Sequence, residues 1–316
     1  MNSRNDWSAY WSQGHKTSFG NEFRHCYEGK IQEAWKGVFK TINNKSDVLD
    51  LCTGNASLLR LAEHDMANFT EVNFTGVDYA NVTASDRFTQ LDNIELLFNV
   101  DIEQLPLENN TYDVVISNYG IEYSDLSKSL AEVSRVMSNQ GYAIFICHFH
   151  DSVFIKNNQQ ELMMIRAMLE ESAVLDTLEG LIEALSDKTI YEKLPSGKEY
   201  LKAVEAAEHY RHRLNEQLGI VANNFAQAFH QSDFLGFLKY LLSARTKNKQ
   251  HELEQFKEGM VSHQGRLSEM VNAALTKAQI ERLSSIFDSH GLHITKTEVL
   301  RGDVGAIGYQ IFAAKR

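Results

Sequence analysis

The sequence predicts an α/β fold, a doubly wound and mostly parallel sheet with a C-terminal antiparallel hairpin, plus a large all-helical insertion. Three observations predict it. Short apolar runs suited to buried strands alternate with helix-spaced apolar stripes through residues 46–150, the pattern of a parallel sheet with crossover helices. Strand signals vanish between residues 151 and 275, where Leu, Ile and Phe recur at three- and four-residue spacing. They return after residue 276 as two runs joined by a loop too short for anything but antiparallel pairing.

The first element is an N-terminal helical arm or lid, residues 1–45. Trp7, Tyr10 and Trp11 lie within five positions, and Tyr27, Ile31, Ala34, Trp35 and Phe39 give a helix face over residues 23–42. Its aromatics either pack on the core or form a flap over a ligand. Residues 47–62 then change hydrophobic period midway. Val48, Leu49 and Leu51 suit a strand, whereas Leu58, Leu59, Leu61 and Ala62 suit a helix. Between them Cys52-Thr53-Gly54-Asn55-Ala56 is a turn of small residues. Such a turn leaves the first amides of the next helix exposed, and those amides attract a carboxylate or phosphate.

A second strand at 72–77 ends on Asp78 and Tyr79, and a third at 94–100 is followed by Asp101. Two parallel strands joined by a helix make a right-handed unit whose ligands sit at the carboxyl ends of the strands, so both acids are well placed. Tyr112–Asn118 is a β-branched fourth strand. Asp125 can cap a helix carrying Leu126, Leu130, Val133 and Met137, which Gly141 closes before a fifth strand at 142–149. Asp113 begins strand four, at the opposite edge, and is read as structural. The insertion covers 151–275, and residues 193–198 (KLPSGK) are its clearest internal loop. Near the end, Thr276 and Gln279 fit a capping box, Gly291 stops that helix, and strands follow at 293–300 and 306–314. The α/β domain is thus 46–150 with 276–316.

These elements, in this order, resemble the class I S-adenosylmethionine-dependent methyltransferases. The likeness covers residues 46–150 and 276–316. Where that family usually carries acid-x-Gly-x-Gly-x-Gly, this chain has Asp50-Leu51-Cys52-Thr53-Gly54-Asn55-Ala56, with the central glycine kept and Cys52 and Ala56 replacing the outer two. Residues 99–107, 112–118 and 130–141 look like the family's segment after strand three, its fourth strand, and the helix and turn before strand five. The resemblance implies a Rossmann-like fold and S-adenosyl-L-methionine as cofactor, with S-adenosyl-L-homocysteine as product. It implies that Asp78 takes the ribose hydroxyls and that Asp101 and the Ile102 amide meet the adenine. The turn of Asp50, Cys52, Gly54 and Asn55 would hold the methionine portion, with Tyr79, Asn118 and Trp11 completing the site. A carboxylate suits a ribose because it can accept both adjacent hydroxyls.

Transfer of a methyl group from a sulfonium is one in-line displacement, so the protein chiefly aligns the nucleophile and excludes water. A hydroxyl or protonated amine must also lose a proton. His148 and His150, two apart in the fifth strand, would share a face and could accept it. No metal is expected, since no further ligand pattern accompanies His148, His150 and Asp151.

Composition narrows the partners. With 43% hydrophobic residues the 316-residue chain can bury a sizeable core, and a net charge of −11 argues against general nucleic-acid binding. The three cysteines, Cys26, Cys52 and Cys147, are odd in number and widely spaced, which points to a reducing compartment. No apolar run reaches the roughly 18 residues of a membrane span and no leader is evident, so cytoplasm is the default. The implied partner is a small-molecule acceptor methylated on oxygen or nitrogen. The insertion is either the acceptor's lid or a homodimer interface. A nicotinamide-dependent dehydrogenase fits poorly, since its loop needs three glycines and this turn has one. A non-catalytic or regulatory methyltransferase-like protein, binding protein through the helical domain, is the remaining alternative.

Overall fold

The strand β1 (Asp47–Leu51) explains the layering, because its side chains alternate between two cores. The computed structural model describes residues 3–19, 26–82, 86–186, 197–243 and 247–316. Ahead of β1 lie α1 (Ser3–Ser12) and α2 (Gly29–Phe39). After it come α3 (Ser57–Asp65), β2 (Asn73–Asp78), α4 (Asp86–Thr89), β3 (Ile94–Phe98), β4 (Tyr112–Asn118), α5 (Leu126–Val136) and β5 (Met137–Cys147). Val48 joins Ile31, Trp35, Leu59 and Phe74 in one core on the α2 and α3 side. Leu49 and Leu51 join Val115, Leu130 and Val133 on the α5 side. A period of two buried on both faces is what a central parallel strand requires.

The chain then runs through α6 (Val153–Arg166), α7 (Val174–Leu185), α8 (Lys198–Asn224), α9 (Ala226–Gln231), α10 (Phe234–Leu241) and α11 (Lys249–Ala273). It returns to α12 (Lys277–Ser289), β6 (Leu292–Gly302) and β7 (Gly305–Lys315). Two units result, Met1–Lys156 with Glu269–Arg316, and Asn157–Ser268. The first holds a seven-stranded sheet in the order β3-β2-β1-β4-β5-β7-β6, parallel up to β5 and antiparallel at β7 and β6. Strand order reverses between β1 and β4, and the crevice of a wound sheet opens at that switch point. The second unit is helical among its described residues. Leu178, Leu181 and Ile182 of α7 and Leu214 and Val221 of α8 are buried, and α7 and α8 approach closely at Gly180, where a Cβ would meet the Tyr210 ring at 2.4 Å.

Several predicted boundaries shift. Asp125 caps α5 through its bond from the Ser127 amide (3.0 Å), and Thr276 and Gln279 form the capping box of α12. Yet α5 stops at Val136, and Gly141 is inside β5 rather than at the helix end. The pairing shows why: Tyr112 faces Met137 while Val114 faces Tyr142, so residues 138–141 form an irregularity in the ladder. A Cβ on Gly141 would lie 2.4 Å from Met137 Cγ and 3.1 Å from the Tyr112 carbonyl. At its other end β5 stops at Cys147, short of residue 149. Helix α2 begins at Gly29; Phe23, where the sequence suggested its start, and residues 193–196 of the KLPSGK loop lie outside the described residues.

Candidate active site at the carboxyl edge of the sheet

The turn after β1 has alternating left-handed backbone, with Cys52 at φ 58°, Gly54 at 52° and Ala56 at 58°. Glycine enters that region freely and other residues at a cost of about 1–2 kcal/mol, so the two replaced glycines leave strain in the loop. The turn is held from below. Thr53 Oγ1 donates to Asp50 Oδ2 at 2.7 Å, and Asp50 is buried. Burial pushes the Asp50 carboxyl up to about 7, against the Thr53 bond and with a further push from the Asp78 charge.

Asp78, at the end of β2, clasps the same turn. Its Oδ2 accepts the Gly54 N–H at 2.7 Å and its Oδ1 the Ala80 N–H at 2.8 Å. Burial raises this carboxyl to about 6, while those two amides pull the other way. Each oxygen keeps a second lone pair for a ligand hydroxyl. Asp101, past β3, accepts the Glu103 N–H at 2.9 Å and is exposed, beside buried Ile102.

Asp78 and Asp101 line one cavity of about 320 Å³ together with Cys52, Tyr79, Ile102, Asn118 and Trp11, which gathers most of the sequence-predicted residues. That size suits a small-molecule site. The sequence did not single out Tyr27, Ser57, Tyr119, Gly120 or Tyr123 for the site, yet they share the wall. The buried Tyr27 hydroxyl lies with the Asn118 and Ser18 side chains, and burial raises its pKa. Trp35 Nε1 donates to Asn118 Oδ1 at 2.8 Å and so fixes that amide. Ser57 opens α3, whose cap residue Ala56 supplies no side-chain bond, and its buried Oγ has no hydrogen-bond partner among the described residues.

Other predicted residues lie elsewhere. Asp50 and Gly54 are beneath the turn and behind Trp11, and Asn55 points to the arm, giving its Nδ2 protons to the Trp11 (3.2 Å) and His15 (2.6 Å) carbonyls. The two histidines do not share a face, because the strand has ended before either. His148 is 0% exposed among Phe19, Tyr119 and Tyr123, with its backbone N–H caught by Glu122 Oε1 at 2.7 Å. Burial drives its imidazole down to about 3. His150 is half-exposed and turns to the Leu275 carbonyl (3.1 Å) and Asp151 (3.0 Å). Neither lines the cavity, so neither is placed to take a proton from an acceptor. Among the described residues no cluster of His, Cys, Asp and Glu could hold a metal, and no helix is long and apolar enough to cross a membrane.

Residues 49–145 match a family model described as a methyltransferase domain, over the strands and turns that build this cavity. Over those residues the chain is similar to methyltransferases. The demethylmenaquinone methyltransferase of Chlamydia pneumoniae is 29% identical over 109 residues, 34% of this chain and 46% of that one. The match therefore spans about half the length of the curated relative. Among solved structures, a methyltransferase of Haloferax volcanii in complex with the Trm112 methyltransferase activator is 12% identical, with 99% of this chain and 97% of that one covered and a TM-score of 0.49. The 1,6-didemethyltoxoflavin-N1-methyltransferase of Burkholderia thailandensis, with 1,6-didemethyltoxoflavin and S-adenosylhomocysteine bound, is 7% identical, with 99% and 86% covered and a TM-score of 0.48.

The residues of this cavity suit S-adenosylmethionine chemically. An orphaned hydroxyl on Ser57 and the open first turn of α3 suit a carboxylate. The Asp78 oxygens offer acceptors for hydroxyls, and exposed Asp101 an acceptor for an amino group.

Proposed function

We propose that this protein transfers a methyl group from S-adenosylmethionine to an oxygen or nitrogen of a small-molecule acceptor. The observation that carries the reading is the convergence of Asp78, Asp101 and Cys52 and Thr53 of the turn after β1 on one cavity at the switch point of the sheet. When bound, the cofactor supplies an already activated methyl group, so no covalent intermediate on the protein is needed.

The protein's own part is to bind, orient and dry the reactants. Asp78 holds the ribose end, with its carboxylate kept in place by the Gly54 and Ala80 amides. Asp101 and the backbone beside Ile102 hold the base. Ser57 and the first amides of α3 face the amino-acid carboxylate. Asn118, fixed by Trp35, and the hydroxyl of Tyr27 stand at the end of β4, where an acceptor's polar atom would be oriented. Tyr119 and Tyr123 exclude water from that end. No general base is assigned, since the histidines lie off the cavity.

Calorimetric titration with S-adenosylmethionine, S-adenosylhomocysteine and NAD tests the reading. Roughly micromolar binding of the first two, lost in Asp78→Ala, is expected. Preference for NAD, or unchanged affinity in Asp78→Ala, would overturn it.

A further inference from the structure

Gly54 has two claimants. The absence of a side chain there lets something press against its backbone, and in this chain that something is the protein itself: a Cβ at position 54 would lie 2.6 Å from Trp11 Cζ2 and 2.9 Å from Cη2. The indole thus rests on the face of the turn that a cofactor's methionine portion needs.

The arm bearing Trp11 is fastened to the rest of the chain at three places. Asn55 Nδ2, from the turn after β1, holds the carbonyls of Trp11 and His15. Asn81, beyond β2, donates its N–H to Ser8 Oγ at 2.9 Å. Trp7 Nε1 donates to Glu269 Oε2 at 2.9 Å, and its ring meets Tyr123 edge-on at 5.6 Å. Internally the arm is stiffened by the bond from Tyr10 Oη to the Thr17 carbonyl (2.6 Å) and by the Tyr10–His15 stack at 4.1 Å. Trp7, Trp11, Lys16 and Ser18 are themselves cavity wall. These hydrogen bonds are individually weak in net terms, and none of them belongs to the sheet's ladders, so the arm can release without unfolding the sheet.

We propose that residues 3–18 form a self-occluding strap, in which Trp11 competes with the cofactor for the face of Gly54, so that cofactor enters only after the arm lifts. The proposal rests on reading the cavity as the cofactor's site. A ligand that binds only the lifted state has its apparent affinity reduced by the fraction of molecules in that state. Removing the indole raises that fraction. Trp11 is then an inhibitory side chain, not the supporting contact the sequence suggested, and Asn55 is its latch.

Stopped-flow tryptophan fluorescence with S-adenosylhomocysteine as the sole added ligand tests this, because Trp7 and Trp35 remain as reporters when Trp11 is replaced. In the parent, the observed association rate is expected to level off with ligand concentration at the rate of arm release. In Trp11→Ala the plateau should vanish, with association about tenfold faster and calorimetric affinity higher. Asn55→Ala, which frees the arm while leaving Trp11 and the cavity wall intact, should shift both quantities the same way. If rates rise linearly in the parent and both variants bind equally or more weakly, the strap is overturned and the cofactor site stands. If neither parent nor variants bind S-adenosylhomocysteine, the reading of the cavity falls and the strap with it.

Discussion

Cys52 and Gly120 share one volume: a Cβ added to Gly120 would lie 2.4 Å from the Cys52 Cβ and 3.2 Å from its Sγ. Cys52 fills a position where the family usually has glycine, and the space its side chain needs has been taken from the loop after β4. Gly120 has φ −140°, so a lack of room, not backbone conformation, demands glycine there. Gly120→Ala is therefore expected to cost about 1–3 kcal/mol by overpacking. Cys52→Gly in the same molecule should recover most of that loss. Urea unfolding of both single variants and the pair measures the coupling; additive losses would mean the two residues do not trade space.

The strain in the same turn gives a second prediction. Ala56 sits at φ 58° and is buried, so its methyl group is held in left-handed backbone. Ala56→Gly relieves that strain but loosens the unfolded chain by roughly 0.4–1 kcal/mol. A net gain of a few tenths to about 1 kcal/mol is expected. A falling midpoint in thermal unfolding would show that the buried methyl contributes more by packing than its conformation costs.

How far the sequence reveals this site depends on what fixes each residue. The β1, β2 and β4 segments are legible because their buried positions leave short, mostly apolar runs, and Asp78 and Asp101 are legible because they stand at and just beyond the ends of strands. The strained turn is legible only through resemblance, since nothing in the residue types Cys52 and Ala56 announces positive φ. Trp7, Tyr27 and Ser57 reach the cavity through tertiary contacts of the arm and α3, which periodicity does not encode. The start of β5 misleads because polar residues 138–140 followed by Gly141 look like a helix ending. His148 misleads because the apolar run conceals where the strand lets go, a point set by the Glu122 carboxylate from a neighbouring loop.

That carboxylate should be visible in stability. Glu122 is 5% exposed, and burial raises it to about 7 against the pull of the His148 amide and the Cys147 thiol bond. The groups facing it are the thiols of Cys147 and Cys52 and the hydroxyl of Tyr119, all pushed up by burial and by its charge, and the neutral His148 ring. A carboxyl whose folded pKa lies above its unfolded one gives stability that is full below about 4.5 and is lost as pH rises to about 7. Glu122→Gln, neutral throughout, should match the parent near pH 4.5 and exceed it by about 1–3 kcal/mol near pH 8. Equal differences at both pH values would show that the glutamate is not forced to ionise in a buried site.

Asp78 carries the corresponding prediction for binding. Its carboxyl, raised to about 6 by burial, must be ionised to accept from ligand hydroxyls while still accepting from Gly54 and Ala80. Protonation turns one acceptor into a donor. As pH falls through 6, affinity for S-adenosylhomocysteine should therefore decline, approaching about tenfold per unit below that point. Asp50, raised to about 7 and bonded to Thr53, titrates close by and feels the Asp78 charge, so its own contribution begins at higher pH. The discriminating comparison is Asp78→Asn, whose amide is always neutral: its binding should be weaker near pH 8 and should lose the component of the pH dependence centred near 6. Calorimetric titrations between pH 5 and 8 measure both. A pH profile unchanged in Asp78→Asn would assign the titration to another group and detach Asp78 from the ribose.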